Sequence, residues 1–271
     1  MRRILPLVAS VLFLLCTIAV HPQTTCTSVK KIEDCPDAGC GGWDRQLNIK
    51  KNYTSDPKKQ TPVNRSLEEI KVMKYPEQWF SGKDRGELET LGEGQLVRVE
   101  AYLVGVRYDD ATSANCKLGD SQAISHRLLL VSEDALGLKL PGRELSSVTA
   151  LITPRVRRQH AKLGSTKNGQ KAWITNWTKW KLDSLIYAAP RTGLLVRVTG
   201  LLLLDTEHIY NSIPRSTDWE IHPVLEIDVC RKKDRCASGA GWEKLESMNI
   251  TEPHPPRPIA VEPPPPLIPY Y

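Results

Sequence analysis

The feature that most limits how this chain can fold is the order of its strand-like segments. Gln95 to Arg107 places Val97, Val99, Ala101 and Leu103 on one side, the two-residue period of a half-buried strand, and Gly105 within it marks a bulge or a sharp bend. His126 to Val131 and Val148 to Thr153 are two shorter strands, the second stopped by Pro154. Arg155 to Ala189 has no strand character; Leu194 to Leu204 and Asp218 to Val229 then supply two long strands. Three strands, a helical connection and two more strands is the order of a five-stranded barrel of the oligonucleotide/oligosaccharide-binding (OB) type. The long, bent first strand fits that plan because it must serve both halves of the barrel. The expected fold is therefore mostly β, an OB-like barrel over residues 94–230 with a helical connection between strands 3 and 4. A β-sandwich needs about seven strands, which are hard to find here.

The 271 residues suffice for one ordinary core, not two large domains. Met1-Arg2-Arg3 followed by the apolar run Ile4 to Val20, broken by Pro6, reads as a signal peptide ending near Ala19. No later segment is suited to a membrane span, since Leu194 to Leu204 is strand-sized and carries Arg197. Of the seven cysteines, Cys16 falls in that leader. Cys26, Cys35, Cys40, Cys116, Cys230 and Cys236 remain, an even set that indicates disulfides in a secreted or periplasmic protein. Spacing favours one local pair, Cys230 with Cys236. A zinc site at Cys26, Cys35 and Cys40 lacks a CxxC pair and a suitably spaced histidine.

Residues 20–93 are expected to form a cysteine-bearing N-terminal collar with one short helix, opened by the capping-box spacing Ser66-Leu67-Glu68-Glu69. At the other end, residues 231–271 read as a basic loop and a disordered proline-rich tail. Nine of the 20 prolines lie between Pro253 and Pro269, a composition suited to a solvated spacer or a docking ligand.

Charge is concentrated in the connection. Pro154 to Arg191 holds nine basic residues against one acidic, Asp183, whereas the chain without Arg2 and Arg3 has 35 basic against 31 acidic. Such an excess attracts polyanions, and contacts of Arg155, Arg157, Arg158 and His160 with phosphates or sulfates would give salt-sensitive affinity. Trp173, Trp177 and Trp180 have the spacing of one helix face and would either plug the barrel or stack a ligand. In the last strand, alternation puts Trp219, Ile221, Leu225 and Ile227 on one face and Glu220, His222 and Glu226 on the other, with Pro223 requiring an edge or a bulge. Glu220 and His222 can then share a surface with Asp205, Glu207 and His208 from the preceding loop, which in OB folds borders the ligand groove. His208, Arg215 and His222 would line that groove, with Trp177 or Trp219 as an apolar wall. The competing structural reading pairs Glu220 or Asp218 with Arg215 or Arg155 and makes His222 a strand-end hydrogen-bonding residue.

The segments Thr153-Pro154-Arg155-Val156-Arg157 with His160, Gly200 to Leu204 followed by Asp205-Thr206-Glu207-His208, and Arg215 through Val229 resemble a group of uncharacterised secreted bacterial proteins with an OB-like domain. The resemblance implies the fold and export but carries no activity. HExxH, GxSxG, a P-loop and a CxxC pair are all absent from the sequence. The expectation is a non-catalytic module for a polyanion or glycan, with no cofactor and no metal. One alternative is a metal-dependent phosphodiester hydrolase using His208, Glu220 and His222. The other is a structural or interaction protein of the cell envelope whose proline-rich tail docks on an envelope partner.

Overall fold

A computed structural model of the chain describes residues 26–41, 44–54, 60–80, 82–165, 169, 171–189, 193–209, 214–231 and 233–250. The expected leader, the proline-rich tail, and Lys167 and Arg191 of the basic connection lie outside the described residues. The described elements before the barrel include α1 (Arg45–Lys51), β1 (Val63–Asn64), α2 (Leu67–Lys71) and α3 (Gly86–Leu91). The barrel and its connections comprise β2 (Leu96–Tyr108), β3 (His126–Val131), α4 (Leu140–Leu145), β4 (Val148–Ile152), α5 (Pro154–Gln159), β5 (Lys162–Ser165), β6 (Lys171–Ile174), α6 (Lys179–Ala188), β7 (Leu194–Leu204) and β8 (Trp219–Cys230). The last described elements include α7 (Lys233–Ala237) and β9 (Trp242–Lys244).

β2 closes the barrel by pairing on both sides. Leu96–Leu103 lie antiparallel to β7, and Tyr102–Tyr108 lie antiparallel to β3, with a register shift between Leu103 and Gly105 where the bend was expected. The sheet continues β3-β4-β8-β7, with β4 and β8 parallel at Ala150 and Ile221. This is a closed, mixed five-stranded barrel of OB type, with the remaining strands as additions.

Pro223 is not at an edge, because β8 sits between β4 and β7. Its neighbourhood is the bulged alternative: the β7–β8 register shifts on both sides of Gly200, where β8 carries an extra residue each time. Gly200 is needed there. A Cβ on it would lie 2.4 Å from the Pro223 carbonyl oxygen and 3.1 Å from Val224 Cα, both backbone atoms that cannot turn aside.

The interior is filled by Val97, Val99, Leu128, Ile152, Val198 and Ile227 among others, and the flanking segments join the same core. Leu67, Ile70, Trp79 and Leu88 from the N-terminal segment pack into it, as do Leu182 and Leu185 of α6. The N-terminal collar is thus packed onto the barrel. α2 has the expected capping box, with Ser66 accepting from the Glu69 amide and the Glu69 carboxylate accepting from the Ser66 amide. Disulfides Cys26–Cys40 and Cys35–Cys116 tie the collar to itself and to the β2–β3 loop, and Cys230–Cys236 forms the local pair favoured by spacing.

The connection departs from the sequence expectation. Arg155 to Ala189 includes a two-stranded antiparallel ribbon, β5 with β6, between its two helices. The three tryptophans do not share a helix face: Trp173 is in β6, Trp177 precedes the helix and Trp180 is in α6. Thr178 is the reason. Its hydroxyl accepts from the Lys181 amide as an N-cap, so the helix starts only after Trp177.

Gly200→Ala should destabilise the protein by about 1–3 kcal/mol through overpacking against β8. Urea unfolding under oxidising conditions checks this, and an unchanged midpoint would show that β8 can yield at Pro223.

Candidate functional site

Two groups of the residues singled out from sequence are held by separate sets of partners. The first is on α5, which begins at Pro154 because Thr153 caps it by accepting from the Val156 amide. The three arginines of this short helix do not share an environment. Arg155 turns to the collar, donating to the carbonyls of Cys35 and Pro36 and pairing with Asp37 at 3.2 Å. Arg157 is buried, and its guanidinium donates to the carbonyls of Ser121 (3.3 Å), Gln122 (2.8 Å) and Ile124 (2.8 Å) and to the His126 ring. Arg158 remains half-exposed, 3.8 Å from Glu33 and stacked 3.9 Å over the centroid of Trp173. The expected arginine surface is therefore reduced to Arg158, since the other two serve the fold.

Burial pulls the Arg157 guanidinium down to about 10. It pulls the His126 imidazole down to about 3, helped by the positive charges of Arg157 and Lys179. A neutral ring can accept from Arg157, which a protonated ring cannot. His160 donates from Nε2 to the Leu225 carbonyl (3.0 Å) and stacks flat on Trp177 with ring centroids 4.0 Å apart. Trp177 and Trp219 are both 0 % exposed, and the Trp219 indole N–H donates to the Lys74 carbonyl. Neither tryptophan offers a wall to a ligand. They pack in the core, because a large ring buried among aliphatic side chains gains more than one left in water.

The second group surrounds the loop between β7 and β8, where the structure does bring Asp205, Glu207, His208, Arg215, Glu220 and His222 together. Arg215 Nη1 is 3.0 Å from Asp205 and 3.6 Å from Glu220, and its Nη2 is 2.6 Å from Asp218. His208 Nδ1 and His222 Nδ1 each lie 2.7 Å from a carboxylate, Asp205 and Glu220 respectively. Lys51 of α1 reaches in, 2.6 Å from Glu207 and 3.7 Å from Asp205. Burial opposes charge on Lys51, Asp205 and Arg215, but their mutual attraction outweighs it. Lys51 and Arg215 are held above their ordinary values, Asp205 below its own. The hydrogen bond to Asp205 likewise raises His208.

Sequence reasoning placed the loop residues together but missed Lys51 and a neighbouring buried cation, Arg85. Arg85 Nε donates to Glu93 at 2.8 Å, and its other nitrogens reach Asp44, the Thr206 hydroxyl and the Leu204 carbonyl. A polar collar segment gives no one-dimensional sign that two of its cations are buried at the end of β7. Their partners lie far along the chain.

Chemically, the cluster is a set of compensated charges. Among the described residues, no group of three or more His, Cys, Asp or Glu side chains could hold a metal ion. The surface usually used by an OB barrel is also covered. Every residue of β4 is buried, as is every residue of β3 except Arg127, which is half-buried. No family model, no curated protein and no solved structure matches the chain significantly.

Arg157→Ala should cost about 1–3 kcal/mol, because the buried Ile124 carbonyl and His126 ring lose their donor, whereas Arg158→Ala should change stability by about 0.5 kcal/mol or less. Paired urea titrations distinguish them, and equal midpoints would contradict the different placement of the two side chains.

The histidines predict opposite pH limits. A raised pKa makes the His208 contribution complete below its ordinary value of 6.5 and lost as pH rises through the folded value. A depressed pKa makes the His126 contribution complete above 6.5 and lost as pH falls toward about 3. Melting temperature against pH should show His208→Gln below wild type at acid pH and converging on it at alkaline pH, so that the alkaline decline flattens; a deficit appearing only at alkaline pH would reverse the assignment.

Proposed function

We propose that this chain is an exported binding module whose ligand is a polyanion or glycan, held by the connection between β4 and β7 and not by a groove over the barrel. The observation that carries the reading is the Arg158–Trp173 stack, with Trp173 48 % exposed and the Arg158 side chain 43 % exposed. Lys162 and Lys171 on the adjoining ribbon are exposed as well. Cations beside an open aromatic face attract anionic groups and offer a sugar ring or a base a stacking surface.

Export is supported by the three disulfides, which need an oxidising compartment. The leader-like start and the resemblance to secreted bacterial proteins with an OB-like domain agree with it. No helix among the described residues is long and apolar enough to cross a membrane. The buried cluster of Lys51, Asp205, His208, Arg215, Glu220 and His222 then has a positioning task, fixing the β7–β8 loop and the collar on the barrel.

The triple variant Arg158→Ala, Lys162→Ala, Lys171→Ala should elute from heparin and from single-stranded DNA at lower salt than wild type. Its log–log salt slope on single strands should be flatter by about 2, at roughly 0.7 per lost phosphate contact. Equal retention and equal slope would remove the proposal.

A further inference from the structure

Among the described residues, β5 and β6 form a separate sheet that does not join the barrel. Their register sets Leu163 opposite Trp173 and Lys162 opposite Ile174, so an apolar pair occupies one face and a mixed pair the other. Neither face is covered: Leu163 is 57 % exposed, Trp173 48 % and Ile174 45 %. Ile174 folds back over its own ribbon, where a Cβ on Gly164 would come within 2.5 Å of its Cδ1. A lone two-stranded ribbon is marginal in water, and the Leu163–Trp173 pair exposed on one face of it marks a contact surface.

We infer that the ribbon docks on an anionic lipid surface, with Leu163 and Trp173 of one face entering the interfacial layer and Arg158, Lys162 and Lys171 meeting the headgroups. The inference rests on the polyanion reading and names the carrier of the negative charge. A dissolved polyelectrolyte would engage the cations and stack on Trp173 but leave Leu163 in water. A bilayer interface meets both kinds of group. An indole sits at headgroup level with its ring in the apolar layer. Lysine and arginine lay their stems along that layer with the charge in water, and anionic headgroups draw them in. Charge complementarity selects anionic over zwitterionic lipid, because Arg158, Lys162 and Lys171 are exposed beside the Leu163–Trp173 pair.

The test uses protein purified from the exported fraction, mixed at about 0.1 M salt with vesicles of phosphatidylglycerol and phosphatidylcholine or of phosphatidylcholine alone. The mixed vesicles should sediment the protein, and phosphatidylcholine alone should do so about tenfold less well. Leu163→Ser should lose about fivefold of the vesicle binding while keeping its melting temperature and its elution from heparin. Brominated acyl chains should quench the fluorescence of wild type more than that of Trp173→Phe. Retention on heparin without sedimentation on the mixed vesicles overturns the lipid inference and leaves the polyanion reading standing; failure on both overturns both. Sedimentation undiminished in the serine variant assigns binding to charge alone and overturns insertion.

Discussion

Barrel closure rests on the backbone hydrogen bonds of β2, which pairs with β7 through Leu96–Leu103 and with β3 through Tyr102–Tyr108. One strand can serve two neighbours in this way only by bending, and the register shift at Leu103/Gly105 provides the bend. Once β2 is shared, its sheet curls into a closed wall, and inward positions of β2 such as Val97, Val99 and Leu103 share a common interior with Leu128, Ile152 and Ile227 of other strands. The chain between β4 and β7 must then cross outside that wall. α6 attaches there by burying Leu182 and Leu185, while the β5–β6 ribbon has no wall to lie on and stays in water.

Several cations of this basic chain are turned inward, and each inward cation joins a peripheral segment to the barrel. Arg85 joins the collar to the end of β7, Arg157 gathers the carbonyls of Ser121, Gln122 and Ile124, and Arg215 links the β7–β8 loop to β8. A buried guanidinium is costly unless its donors are met. Carboxylates meet Arg85 and Arg215, whereas backbone carbonyls and a neutral imidazole meet Arg157. Formal charge along the sequence therefore overstates the positive surface. What remains outside at α5 and the ribbon is Arg158, Lys162 and Lys171.

The strand order was readable because period-two alternation, Gly105 and Pro154 are local signals that tertiary contacts reinforce. The β7–β8 cluster was readable for a similar reason: Glu220 and His222 share a strand face, and Asp205 and His208 sit one loop away. The ribbon was not readable, since Lys162–Ser165 and Lys171–Ile174 are four-residue strands with polar and apolar residues mixed on both faces. Trp173, Trp177 and Trp180 were misleading because a spacing that fits a helix face does not itself start a helix; the cap at Thr178 sets that start. The alternation that set Trp219 beside Ile221, Leu225 and Ile227 pointed to its burial, but an aromatic side chain suits a core and a ligand face alike, so Trp177 and Trp219 also stood as candidate walls for a ligand.

By itself the sequence determined the order of the barrel strands, the place of the bend in the first, the local Cys230–Cys236 pairing and the concentration of positive charge between β4 and β7. These depend on residues near one another in the chain, where alternation, turn chemistry and spacing act directly. Tertiary structure alone decided which arginines face water, that Lys51 and Arg85 are buried, that Cys35 pairs with Cys116, and that β3 and β4 are covered. Each of those outcomes is set by a partner far away in sequence, and a cation or an indole takes whichever environment its distant neighbours leave it.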